Sequence, residues 1–346
     1  MRIKNPISIL TLGLASIFVI DPAANAQGFY EGKQMTLVVG ASNRGTYAAY
    51  SRVLAMHMGR HIPGKPKIVL SIKGGASGGM VAANFMNNAV PKDGTVMGIT
   101  QQTIPISQFL RPGAGRYDAT KWGWIGNMSP MMNMVALWHK SPAQSLEEAK
   151  KVEVRVGATG KSSPTYVYPS LLNKFFGTKF KMITGYKGIG GMNQGMEQGE
   201  THARGASWLS VVTRAPHYIT EKKLKPIIQD GLKRDPMLPN VPTFLELAKT
   251  ETEKGVFELV AIASTFGRSY FIPQGVPAAR LATLRKAFVA TMKDPAFLAD
   301  MEKQKMPVNP MTGSELEGLI KRIKATKPNV LKLAQSAMVF KRKKKK

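Results

Sequence analysis

Three loops that follow short β-branched runs hold the residues whose types and spacing could do chemistry. Gly75-Ala76-Ser77-Gly78-Gly79 fits G-x-S-x-G, the turn that lifts a serine hydroxyl toward an acyl carbon, and His139, His202 and His217 lie downstream as bases for it. The same glycines serve equally as a ligand loop, because a backbone without Cβ atoms admits close approach of an anion. Gly157-Ala158-Thr159-Gly160-Lys161-Ser162-Ser163 carries the Gly-Lys-Ser ending of a phosphate loop. Arg155 stands where its first glycine would be, and no apolar run ends in a magnesium-holding Asp, so nucleotide binding is set aside. What remains is an anion cradle of backbone N–H groups and the Thr159, Ser162 and Ser163 hydroxyls, or an ordinary turn whose serine caps a helix. Gly40 to Gly45 occupies the equivalent place after the first run.

Other constellations point away from chemistry. The absence of cysteine excludes thiolate zinc sites, iron–sulfur clusters, disulfide scaffolds and cysteine nucleophiles. His57 and His61 have the i, i+4 spacing of two metal ligands on one helix face. Met58, Gly59 and Arg60 lie between them, without the glutamate of H-E-x-x-H, so a solvated helix end is expected and no metal or cofactor. Met128, Met131, Met132 and Met134, near Trp122, Trp124 and Trp138, read as core before they read as an adaptable pocket.

The elements that must position these loops repeat one rhythm. Met35 to Val39 is a strand, Tyr47 to His61 a helix with Tyr50, Val53, Leu54 and Met58 on one face, Lys67 to Ile72 a strand, Met80 to Ala89 a helix and Thr95 to Ile99 a strand. The rhythm weakens over residues 100–127 and then resumes. Val135 to Trp138, Val152 to Val156 and Phe180 to Ile183 read as strands; Ser145 caps a short helix, and Pro164 opens a longer one to Phe176. Alternation of this kind predicts α/β architecture with mostly parallel sheets flanked by helices, and two successive halves predict two similar lobes. Pro236, Pro239, Pro242 and the charges from Glu251 to Lys254 read as a connector, and the amphipathic stretches Pro277 to Lys293 and Glu315 to Ala325 as helices returning to the first lobe.

The chain's 346 residues are enough for two such units. Its 49 Lys plus Arg against 21 Asp plus Glu give +28, and since six of the cations form the terminal run 341–346, the remainder still carries +22. An anionic partner follows. The tail lacks interleaved aromatics, so nucleic acid is not expected. Arg2 and Lys4, the apolar run Ile7 to Ile20 and Ala24-Asn25-Ala26 have the order of an export signal too short to span a membrane. A mature chain starting near Gln27, outside the cytoplasm, is expected.

Several segments in order resemble the Bug family, the extracytoplasmic receptors of tripartite tricarboxylate transporters: Tyr50-Ser51-Arg52; Gly75-Ala76-Ser77-Gly78 with Ala82-Ala83-Asn84; Pro91-Lys92-Asp93-Gly94-Thr95; Gly185-Tyr186-Lys187-Gly188 with Gly199-Glu200; Leu238-Pro239-Asn240-Val241-Pro242-Thr243; and Pro273-Gln274-Gly275-Val276-Pro277. The resemblance runs from Phe29-Tyr30 to about Ile320. It implies a two-lobed type II periplasmic-binding-protein fold, with a signal at 1–26, a first lobe from 27–127 and 250–340, a second from 128–249 and a basic tail at 341–346. It also implies a periplasmic, monomeric, non-enzymatic receptor that closes on a small organic carboxylate and passes it to membrane permease subunits. Carried onto this sequence, the ligand loops contain Ala41, Ser42, Arg44, Gly45, Thr46 and Tyr47 in one lobe and Ala158, Thr159, Ser162, Ser163 and Thr165 in the other. Gly75, Ala76, Ser77, Gly78 and Tyr186 lie at the rim.

The sequence departs from that family where the first loop meets its helix: Arg44 replaces a customary glycine, and Ala48 replaces a customary Asp. His202 likewise stands where an acidic residue is common. Losing a carboxylate and gaining a guanidinium both favour a more anionic ligand. Two further readings stay open at this level. One is an exported serine hydrolase using Ser77; the other is a degenerate paralogue, its cleft plugged by Arg44, that acts as a sensor or scaffold.

Overall fold

The structure, a computed structural model, describes residues 28–74 and 79–337; the expected export signal, Gly75 to Gly78 with Ser77, and the basic tail lie outside the described residues. The chain builds two sheets. β1 (Gln34–Val39), α1 (Thr46–Met58), β2 (Lys67–Ile72), α2 (Met80–Asn88) and β3 (Val96–Ile99) are successive strand and helix units, with β1 paired in parallel to both β2 and β3. α3 (Ile104–Leu110) and β4 (Gly123–Asn127) follow. All four residues of β3 are buried, as expected of a strand covered on both faces.

The second sheet begins with β5 (Asn133–Trp138). The short α4 (Leu146–Ala149) comes next, its Ser145 cap accepting from Glu148 N as the sequence predicts. β6 (Val154–Ala158), α5 (Pro164–Phe176), β7 (Phe180–Thr184), α6 (Ile189–Glu197), β8 (Ala203–Ser207), α7 (Trp208–Arg214), α8 (His217–Thr220) and β9 (Leu224–Gln229) complete it. The chain then returns through α9 (Glu251–Thr265) to β10 (Ser269–Ile272), α10 (Ala278–Met292), α11 (Pro295–Lys303), β11 (Met311–Thr312), α12 (Gly313–Lys324) and α13 (Pro328–Ser336).

Strand order is β11-β4-β10-β3-β1-β2 in one sheet and β7-β6-β8-β5-β9 in the other. Within the first, β1, β2, β3 and β4 share a direction that β10 and β11 oppose; within the second, β6 to β9 share a direction that β5 opposes. Each inserted antiparallel strand, β5 or β10, is the first that the chain lays down after crossing between the sheets. The segments that cross lie side by side: Met128 N donates to Arg268 O at 3.1 Å, Arg268 N to Ser129 O at 3.0 Å and Met131 N to Ser264 O at 2.9 Å. A Cβ on Gly267 would sit 2.3 Å from Ser129 O, so only glycine permits this approach.

Glu251 to Lys254 does not act as a connector. Thr250 caps these residues into α9 through Glu253 N, because the following Val256, Leu259, Val260 and Ala263 form an apolar face that one core buries together with residues of both sheets. His57 and His61 are not a solvated helix end either. His57 Nε2 meets Asp300 Oδ2 at 2.7 Å and His61 Nε2 meets Asp294 Oδ2 at 2.7 Å, which pins α1 to α11. Burial alone would raise the Asp294 carboxyl, but hydrogen bonds from His61, Ala296 N and Arg60 outweigh it and hold the group at about 2.

Candidate functional site

The cleft between the two sheets collects helix N-termini. α1 begins at Thr46 after Gly45, α5 at Pro164 after Ser163 and α6 at Ile189 after Gly188; none of the three has an acidic residue in its first turn or a side chain hydrogen-bonded as its cap. The first N–H groups of a helix lack intrahelical partners and lie at the positive end of its dipole. Residues from all three starts line one cavity of about 60 Å³, together with Gln101, Met131, Asn133 and Ser207, and among the described residues no carboxylate lines it.

The hydroxyls here can be assigned by counting protons. Ser163 Oγ donates to Gly160 O at 2.7 Å, so it accepts from Thr165 Oγ1 at 2.5 Å, and Thr165 Oγ1 in turn accepts from Thr159 N at 3.0 Å. The protons of Ser163 and Thr165 are therefore spent inside the loop. Thr46 Oγ1 accepts from Arg268 Nη2 at 3.1 Å, which leaves its own proton for the cavity. Tyr47 OH donates to Gln102 Oε1 at 2.9 Å and accepts from Gln102 N at 3.1 Å; burial pushes this phenol up to about 12, so it stays neutral. Gln102 Nε2 continues the chain to Met131 O at 2.8 Å.

Behind the cavity wall, Asn133 donates to Asp230 twice, N to Oδ1 at 2.6 Å and Nδ2 to Oδ2 at 3.1 Å. Burial lifts the Asp230 carboxyl to about 7 despite these bonds. Tyr168, beside it, is pushed up by burial and by the same carboxylate.

Of the residues expected from sequence, Ala41, Ser42, Gly45, Thr46, Tyr47, Thr159 and Thr165 line this cavity, and Arg44 lines a chamber adjoining it. Ala158, Ser162, Ser163 and Tyr186 line neither. Ser162 is turned toward α3, where its Oγ accepts from Arg111 Nη1 at 3.1 Å and its carbonyl accepts from Thr103 Oγ1 at 2.5 Å. Tyr186 is half-buried, its OH donating to Glu200 Oε2 at 2.9 Å, and it is the nearby Gly188-Ile189 start that reaches the cavity. Sequence reasoning missed Gln101, Gln102, Asn133, Asp230 and Arg268. The first two sit where periodicity is weak, Asn133 is embedded in the methionine run, and Arg268 is one cation among 49. Met131, read as core, does line the cavity.

Two of the three histidines proposed for a hydrolase, His139 and His202, are not at this end of the sheet. Leu137 pairs with Ala203, which sets His139 and His202 at the edge where β8 begins, whereas Ser207, at its far end, lines the cavity. His202 Nε2 lies 2.9 Å from Arg155 Nη2, and burial and that guanidinium lower its pKa. Among the described residues no group of carboxylates and imidazoles gathers as for a metal, and no helix is long and apolar enough to cross a membrane.

Two lobes joined by paired crossing segments, with a donor-rich cavity between them, define a type II periplasmic solute-binding protein. The chain belongs to the TctC family, the tripartite tricarboxylate transporter family receptors, whose model matches residues 51–333. Receptors of this family are periplasmic solute-binding proteins. No curated protein sequence matches the chain. Among solved structures, the periplasmic binding protein BugD is 20% identical, with a TM-score of 0.67 over 89% of this chain and 98% of that one. MatC of Rhodopseudomonas palustris, solved with bound malate, is 17% identical, with a TM-score of 0.65 over 89% and 99%. A protein of R. palustris solved with adipate is 19% identical, with a TM-score of 0.64 over 88% and 97%.

Proposed function

We propose that this chain is exported to the periplasm, captures a small organic carboxylate between its lobes without a chemical step, and delivers it as a monomer to permease subunits of a tripartite transporter. The observation that carries the reading is the cavity where three helix N-termini meet with no carboxylate among its described lining residues. Such a site suits an anion, since the uncapped starts of α1 and α6 offer first-turn N–H groups and all three starts carry a partial positive charge, although α5 opens on Pro164, which has no N–H. The Thr46 hydroxyl adds a further donor. About 60 Å³ holds only a few water-sized groups, so the enclosed part of the ligand is a carboxylate with a short carbon chain. Malate and adipate, the acids carried by two proteins of this fold, have that chemistry.

A thermal-shift and calorimetric screen of the mature chain against mono-, di- and tricarboxylates tests this. Ligand at 100 times its Kd is expected to stabilise the protein by about 2.7 kcal/mol. A panel in which no acid shifts the transition would overturn the reading.

A further inference from the structure

A second chamber adjoins the cavity across a shared wall: Ser42, Gly45, Thr46 and Ile189 line both. The outer chamber adds Arg44 and Arg52 from the first lobe and Asn193 and Arg214 from the second, again with no carboxylate among its described lining residues. Two of the three guanidiniums, Arg44 and Arg214, are exposed and enter none of the ion pairs among the described residues. The third is engaged, since Arg52 Nη2 donates to Asn43 O at 2.6 Å and also to Asn43 Oδ1 at 2.5 Å, which braces the loop that carries Arg44. On the facing side, Asn193 Oδ1 accepts from the buried Arg204. An amide whose oxygen is fixed in that way has its N–H₂ group left as the donor to offer.

Lobe contact thus places like charges from opposite lobes around one space. Ser42 and Gly188 touch across it, and Thr103 bonds to Ser162 O nearby, so these cations are held together only when the lobes meet. Like charges brought together oppose closure unless an anion lies between them, and a guanidinium pairs well with a planar oxyanion.

We propose that the outer chamber is a second anion subsite: Arg44 and Arg214 clamp a second acidic group of a ligand whose first carboxylate occupies the inner cavity, making closure selective for dianions. The inference rests on the receptor reading given above and adds to it the residues that discriminate by ligand charge.

Matched acids of equal chain length test it: butyrate against succinate and hexanoate against adipate, titrated calorimetrically into the mature chain, Arg44→Gln, Arg214→Gln and the double variant. The wild type is expected to bind the dianion of the preferred length at least ten-fold more tightly than its monoanion. That ratio should collapse toward one in the double variant and fall in each single variant, while unliganded melting temperatures stay unchanged because both side chains are exposed. A wild type that binds monoanions as tightly as dianions, or a double variant that keeps the ratio, would overturn the clamp and leave the receptor reading standing. A wild type that binds neither class, nor any acid of the wider mono-, di- and tricarboxylate panel, overturns both.

Discussion

Arg268 Nη2 donates to Thr46 Oγ1 at 3.1 Å, and its Nε and Nη1 have no hydrogen-bond partner at all, although the residue is fully buried. Its guanidinium lies over the rings of Tyr47, at 5.1 Å, and Tyr50, at 4.7 Å, and pairs with no carboxylate among the described residues. A buried charge without a counter-ion is costly for the fold. The arrangement makes sense if the missing negative charge arrives with the ligand, one hydroxyl away at the start of α1.

Replacing Arg268 by methionine should therefore separate stability from function. Replacing even a buried ion pair by apolar side chains of similar volume is often neutral or stabilising, by about 1–4 kcal/mol, and Arg268 has no paired carboxylate among the described residues whose loss would offset the gain. Arg268→Met is expected to unfold at a higher urea concentration than the wild type without ligand, and to bind the carboxylate at least ten-fold more weakly. Equilibrium unfolding and calorimetry on the same preparation check both halves, and a variant that loses stability while keeping affinity would show the residue to be structural only.

Thr46 makes the complementary prediction. Thr46→Ser keeps the oxygen that accepts from Arg268 and the proton left for the cavity; Thr46→Val keeps the shape and loses both. One hydrogen bond to a charged group is worth about 1.5–3 kcal/mol. Ligand affinity should stay within a few-fold in the serine variant and fall at least ten-fold in the valine variant when both are titrated with the same acid.

Much of this architecture is legible in the sequence, and the reasons are local. The strand, glycine loop and helix units from Met35 to Ile99 carry periodicity and turn chemistry that no distant contact overrides, and Pro164 opens α5 where predicted. The first loop and the loop before α5 are legible as strand-to-helix loops for the same reason. What escaped depends on contacts far apart in the chain. Nothing near Glu251 announces that the acidic start of α9 leads into a face buried against both sheets, and nothing near Ser162 says that its hydroxyl answers to Arg111, 51 residues earlier. Asp230 and Asn133 are 97 residues apart, and only the antiparallel pairing of β5 with β9 brings them together.

That buried pair has a pH signature. An unfolded Asp titrates near 3.9, whereas Asp230 in the fold is raised to about 7, so between those values the native state binds the extra proton. Stability contributed by this group is then fully present below about pH 4, declines as pH rises, and is lost above about 7. Urea unfolding at pH 5 and pH 8 should show the wild type losing stability toward the higher pH by more than Asp230→Asn, which cannot ionise. Equal slopes in the two proteins would remove Asp230 as the source.

Closure can be tested at Gly188, where the cavity wall of one lobe meets the other lobe. A Cβ on Gly188, whose φ is +153°, would lie 2.6 Å from Ser42 Oγ and 2.8 Å from Ser42 Cβ, across the line where the lobes meet. Overpacking of this kind costs about 1–3 kcal/mol, and here it falls on the closed form, because the two residues belong to different lobes and part when they separate. Gly188→Ala is expected to weaken ligand binding ten-fold or more. Backbone strain at position 188 would act whether or not the lobes meet, so a second substitution distinguishes the two causes: Ser42→Gly, introduced beside Gly188→Ala, removes the facing side chain and should restore part of the affinity. A double-mutant cycle measured by calorimetry gives the coupling directly. A coupling energy near zero would mean that strain at Gly188, and not its meeting with Ser42, accounts for the loss.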